Sequence, residues 1–112
     1  MKTRLLFAKN KVMETILLYD ILKENDYATS GTIVHDIAYE AILNDDLIVI
    51  DMEGIESVPT TFMNTSFGTL MNNFGVDKIK KSFRFRNILK TQVERISKYF
   101  YDYESLLNST GS

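Results

Sequence analysis

The alternation of apolar and polar positions is clearest in the middle of the chain. Within residues 45–52, Leu47, Ile48, Val49 and Ile50 form an unbroken aliphatic run. A run without alternation predicts a central strand buried on both faces of a sheet. Gly54-Ile55-Glu56-Ser57 then turns the chain, and Pro59 with Thr60 and Thr61 opens a helix, proline being preset for a first helical turn. Met63, Phe67, Leu70 and Phe74 follow at i, i+4, i+7 and i+11, a single apolar stripe. Gly75 closes that helix as a left-handed residue.

Upstream, Thr29-Ser30-Gly31 reads as the cap of a helix over about residues 31–43. Its stripe is Ile33, Val34, Ile37, Ala38, Ala41 and Ile42. Downstream, Lys80 to Ile88 alternates, with Phe83 and Phe85 on one face and Arg84 and Arg86 on the other, which predicts a half-buried strand. A long amphipathic helix follows from about Leu89 to Leu107, with Leu89, Val93, Ile96, Phe100, Tyr103 and Leu107 as its inward stripe. The N-terminal third fits two patterns. Met13, Ile16, Leu17 and Ile21 suit a helix, while residues 16–22 equally suit a strand paired in a hairpin with residues 3–8.

The order of elements predicts an α/β layer fold with parallel neighbouring strands. In such sheets, sites form beyond the carboxyl ends of the strands, where loops meet helix starts. The turn Pro59-Thr60-Thr61 occupies that place.

Length and composition narrow the reading. A chain of 112 residues supports one core, assigned to residues 1–108, with 109–112 as a disordered tail or cloning scar. There is no cysteine, so disulfide and thiolate–metal chemistry are excluded. No stretch reaches the roughly 18 apolar residues of a membrane span, and a cytoplasmic location is expected. Residues 1–75 carry 5 basic and 11 acidic side chains, a net −6, and residues 76–112 carry 8 and 4, a net +4. The basic part places Lys81, Arg84 and Arg86 as candidate nucleic-acid contacts. The negative total charge of −2 and the lack of a recognised motif speak against that reading.

Catalytic chemistry is poorly represented. His35 is the only histidine and sits beside Asp36, which helical spacing does not make a ligand pair. Asp51 and Glu53 lie near the Thr60 turn and form a conceivable carboxylate pair, while Asp45 and Asp46 sit at the far end of the strand. No nucleophile–base pair, phosphate loop or metal-ligand spacing is present; the expectation is a non-enzyme without metal or cofactor. Tyr99, Phe100, Tyr101 and Tyr103 crowd one helix, which suggests a protein interface, most simply a homodimer.

Ile48 to Met71 resembles the central segment of STAS domains, and more closely the small bacterial STAS-like domains. The likeness covers about residues 16–100 and rests on a strand ending in Asp51, Gly54 to Val58, the hydroxyls, then Phe62, Phe67 and Gly68. It implies one α/β domain, a mixed central sheet with helices mainly on one face, and strands in the N-terminal third. In anti-sigma factor antagonists the equivalent turn reads Asp-Ser-Ser-Gly, and a partner kinase phosphorylates the second serine. Carried over, the two serines fall on Thr60 and Thr61, while Pro59 replaces the aspartate and Phe62 the glycine. The resemblance thus implies a regulatory protein–protein interaction module. Thr60 and Thr61 would be its phospho-acceptor or anion site, and Pro59 and Asn64 would contact the partner. The implied partner is a histidine-kinase-like ATPase or an anti-sigma factor. A nucleotide or other small ligand at the same turn is the alternative.

Overall fold

The computed structural model describes residues 12–110. Three strands and six helices alternate along them: β1 (Met13–Leu17), α1 (Leu18–Leu22), α2 (Tyr27–Leu43), β2 (Leu47–Asp51), α3 (Thr60–Met63), α4 (Thr69–Phe74), α5 (Val76–Ser82), β3 (Phe83–Arg86) and α6 (Lys90–Thr110). A π-helical segment, Asn64–Gly68, joins α3 to α4 without a break, giving one continuous helical rod. The fold is α/β, as the order of elements predicted.

The sheet runs β1-β2-β3, and both pairings are parallel. The register sets Ile16 opposite Ile50, Ile48 opposite Phe83, and Ile50 opposite Phe85, so these side chains share one face. That face joins Val34, Ala38 and Ile42 of α2, Phe62, Phe67 and Leu70 of the rod, and Ile96 and Phe100 of α6 in one buried cluster. Each such side chain contributes about 1.5–3 kcal/mol on leaving water. The antiparallel strand that a mixed sheet needs was expected at residues 3–8, which lie outside the described residues.

Several expectations need correcting. Residues 16–22 are not one strand: Ile16 and Leu17 end β1, and Leu18 begins α1. Helix α2 starts at Tyr27, before the predicted Thr29-Ser30 cap, because Asp26 caps it by accepting from the Thr29 amide at 2.7 Å. Ser30 is consequently buried in the first turn. The second face of the sheet carries no described helix. The expected burial of the central strand on both faces nonetheless holds at β2, where Val49 is 6% exposed, while Met13 and Leu17 of β1 remain 57% and 52% exposed.

The stripe of α6 is rotated from its predicted phase. Leu89 and Val93 face outward, and Gln92, only 3% exposed, takes the inward place above Ile96. Lys80 and Lys81 end α5 rather than begin a strand. Ser109 and Thr110, read as a disordered tail, complete α6, where the Ser109 hydroxyl donates to the Leu106 carbonyl. Gly75 does adopt positive φ, but with ψ 155°, an extended mirror-image conformation that only glycine enters freely.

Candidate functional site

The chain leaves β2 at Asp51 and crosses a loop to Pro59. Met52, Ile55 and Val58 are buried and fix that loop against the core. Gly54 takes φ 82° with the Tyr19 ring against it, a conformation and a clearance suited to a residue without Cβ. Two α6 side chains clamp the loop from above. Gln92 Nε2 donates to the Ile55 carbonyl at 2.7 Å, and Gln92 Oε1 accepts from the Leu89 amide at 2.9 Å. Arg95 Nε donates to the Val58 carbonyl at 2.8 Å, and its Nη2 donates to Thr60 Oγ1 at 3.0 Å.

The helix begins at Thr60 with Pro59 as N-cap and no capping side chain. Neither threonine caps it: Pro59 is extended, and the first intrahelical amide to find an acceptor is Met63, which donates to the Pro59 carbonyl at 3.2 Å. The amides of Thr60, Thr61 and Phe62 are therefore left without a partner, at the positive end of the rod. Thr60 and Thr61 are both exposed. Their hydroxyls differ: that of Thr60 is held by Arg95, and that of Thr61 makes no hydrogen bond.

The following turn is tied to its surroundings. Asn64 Oδ1 accepts from the Tyr99 hydroxyl at 2.7 Å. Burial, and next the neighbouring Tyr103, push the Tyr99 phenol up to about 12, so it stays a neutral donor. Thr65 Oγ1 lies 3.0 Å from the Ala28 carbonyl and 3.3 Å from those of Thr61 and Phe62. Ser66, fully buried, donates to the Phe62 carbonyl at 2.8 Å. The Thr69 hydroxyl donates to the Asn64 carbonyl at 3.1 Å, across the π-helical segment. A groove of about 480 Å³ beside Thr60 is lined by Met63, Arg95, Lys98, Tyr99 and Asp102. Of the four residues expected at the turn, Thr60 lines this groove, Asn64 is tied to its Tyr99 wall, and Pro59 and Thr61 flank Thr60 along the chain.

Other candidates fall elsewhere. Asp51 Oδ1 accepts from Asn87 Nδ2 at 2.9 Å and from the Glu53 amide at 3.0 Å. The Asn87 bond first, then the Glu53 amide, hold its carboxyl below the usual range, so Asp51 serves as a fixed acceptor of the strand end, not as half of an acid–base pair. Among the described residues no three potential ligands cluster for a metal. His35 Nδ1 does meet Asp36 Oδ1 at 2.9 Å, although neighbours on a helix normally diverge. Lys81 lies on α5 and Arg84 and Arg86 on β3, with Arg84 Nη1 folded back onto the Lys81 and Phe83 carbonyls at 3.1 and 2.9 Å. Of the four clustered aromatics on α6, Phe100 is buried, Tyr99 and Tyr103 are half-buried, and Tyr101 alone is fully outward at 69% exposure.

Sequence reasoning missed Gln92, Arg95 and Tyr99 as supports of the turn. Their spacing of three and four residues along one helix flank was the available signal.

The sequence pattern of one family, described as a STAS-like domain of unknown function, matches residues 30–92, more than half of the chain. The chain belongs to this family. No curated protein and no solved structure matches it. The matched segment of this STAS-like domain begins within α2, contains β2, the loop, the rod, α5, β3 and Gln92, and ends before Arg95 and Tyr99. Among the described residues no helix is long and apolar enough to cross a membrane.

Proposed function

We propose that this STAS-like domain is a small regulatory protein–protein interaction module whose docking surface is the rim formed by Pro59, Thr60, Thr61 and Asn64. The observation that carries this reading is the uncapped helix start, where the Thr61 hydroxyl is exposed and free beside the unpaired amides of Thr60, Thr61 and Phe62. A phosphate on Thr61 meets those amides and the helix dipole, one residue from the Thr60 hydroxyl that Arg95 holds. Its arrival changes the charge of the rim without disturbing the core, which suits a switch of partner affinity. By analogy with anti-sigma factor antagonists, the partner is a histidine-kinase-like ATPase or an anti-sigma factor. The protein is a binding module, not an enzyme.

The test is affinity capture from the native host with wild type, Thr61→Ala and Thr61→Glu, together with phosphosite mapping of the captured protein. The expected result is one partner recovered with wild type and lost or altered with either variant. Equal recovery by all three proteins removes Thr61 from the mechanism. Absence of phosphate on Thr61 in the host removes the switch but leaves the docking surface.

A further inference from the structure

A second surface lies on the opposite flank of α6 from Thr60. Strand β3 ends the described sheet, so one of its edges faces no described strand. The Arg86 carbonyl accepts from the Met52 amide at 2.8 Å, which turns the peptide groups of Arg84 and Arg86 toward β2. Those of Phe83 and Phe85 then point out of the edge that is unpaired among the described residues. Beside that edge, between β3 and α6, a groove of about 340 Å³ has a floor of Phe83, Phe85, Ile96 and Phe100 and an outer wall of Tyr101.

The floor belongs to an aromatic cluster, with Phe67 packed edge-on against Phe83 at 5.2 Å and tilted against Phe100 at 5.4 Å. A cluster so fixed keeps the groove open without collapse. The border is basic: Lys80 and Lys81 end α5, and Arg84 projects from the strand. Glu104 is the carboxylate on the lining, and Lys80 meets it at 3.6 Å. The Arg84 guanidinium occupies the outward Phe83 carbonyl at 2.9 Å, in the position an incoming strand's amide would take.

We propose that this edge docks an extended segment of a partner protein in which acidic and apolar residues alternate, added to the sheet beside β3. Strand addition satisfies the outward peptide groups of Phe85, and displacement of Arg84 frees both the Phe83 carbonyl and the guanidinium. Side chains of the added strand alternate between faces. Those on the helix side enter the aromatic groove, and those on the other side meet Arg84, with Lys80 and Lys81 at the end of the strand. The charges select the occupant: a second copy of this chain would bring the same basic border against its own and be repelled, whereas carboxylates are attracted. This surface is independent of the Thr60–Thr61 rim.

The probe is a fluorescent peptide alternating aspartate with leucine and phenylalanine. Its binding is read by anisotropy and by hydrogen exchange at the Phe85 amide. The expected result is saturable binding with slowed Phe85 exchange. Tyr101→Glu and Lys80→Glu each weaken it about tenfold, while Thr61→Ala leaves it unchanged. Both of the weakened positions are exposed, so the variants are expected to melt like wild type, and circular dichroism verifies that. No binding at millimolar peptide, unchanged Phe85 exchange, or equal binding of a lysine-for-aspartate peptide overturns the proposal. Displacement of the peptide by oligothymidine with steep salt dependence overturns it in favour of a nucleic-acid surface.

Discussion

Replacing Gln92 by alanine isolates the clamp that holds the β2–α3 loop. Gln92 is 3% exposed, and its amide group bridges the Ile55 carbonyl and the Leu89 amide. In Gln92→Ala the Ile55 carbonyl stays buried beside the 7%-exposed Ile55 side chain and loses its donor, at a cost of about 1–3 kcal/mol. The Leu89 amide stands at the exposed start of α6, where water replaces the lost acceptor. The space left by the amide group and one methylene adds on the order of 1 kcal/mol. The expected loss is therefore about 2–4 kcal/mol, which for a domain of this length lowers the melting temperature by roughly 8–16 °C. Urea titration and thermal unfolding followed by circular dichroism measure it. A loss below about 1 kcal/mol refutes the reasoning, because it means the Ile55 carbonyl has found another donor.

The same position offers a control that cavity formation cannot imitate. In Gln92→Glu the shape is kept and the Leu89 amide keeps an acceptor, but an ionised carboxylate faces the Ile55 carbonyl with no proton to donate. Only the protonated acid restores that bond, so the folded-state pKa rises above the ordinary value of about 4.3. A carboxyl with a raised folded pKa binds its proton more tightly in the folded protein. Stability therefore recovers as pH falls through the folded pKa, and is fully recovered below the unfolded one. The Gln92→Ala deficit has no such recovery.

Two further outcomes concern the carboxylates and Tyr99. The Asp26 carboxylate is held below its ordinary 3.8 by the Thr29 amide, and that of Asp51 by the Asn87 side chain and then the Glu53 amide; carboxylates with depressed folded pKa values contribute stability above the unfolded pKa and lose it as pH falls through the folded one. The urea midpoint is thus expected to fall as acid passes below that 3.8 value, and Asn87→Ala, which frees Asp51, is expected to flatten the fall; an unchanged profile refutes the assignment. A Cβ at Gly68 would stand 2.6 Å from the Tyr99 hydroxyl, so Gly68→Ala displaces Tyr99 and costs about 1–3 kcal/mol. In ultraviolet titration, the late ionising phase near pH 12 belongs to Tyr99 in the wild type, and it moves earlier in that variant; a late phase that survives Tyr99→Phe contradicts this.

The central unit was legible because each local signal agreed with its neighbours. Leu47 to Ile50 is too apolar for an exposed element, Pro59 fixes a helix start, and the Met63–Phe74 stripe fits the face that the sheet presents. Legibility failed where two local patterns were compatible with the same residues. Ile16 to Leu22 is apolar throughout, and only its place against β2 decides that strand gives way to helix at Leu18. On α6, Leu89 and Val93 look like core residues by period, but the buried Ile55 carbonyl needs a donor, and Gln92 turns inward to supply it. Hydrogen-bonding demand of a distant loop carries no periodic signature in the helix that answers it. The π-turn at Asn64–Gly68 was invisible for a similar reason, since a widened turn is a matter of backbone geometry with no periodic side-chain signature.

The hydroxyls of the loop and rod bear on where a phosphate can be accepted. Ser66 is fully buried and donates to Phe62, and Thr65 packs where even a Cβ on Gly31 would collide with it. Phosphate on either would have to part the rod from α2. Thr69 closes the π-turn, and Thr60 is engaged by Arg95. Ser57 and Thr61 remain exposed and without hydrogen bonds, but Ser57 lies in the loop before the helix start, beside the Glu56 carboxylate. Thr61 alone combines a free hydroxyl with the first turn of an uncapped helix. A second anionic group there gains hydrogen bonds where the same group at Thr65 or Ser66 costs core packing. The sign of the stability change on phosphorylation therefore differs between these positions: neutral or favourable at Thr61, and strongly unfavourable at Ser66, further along the same rod.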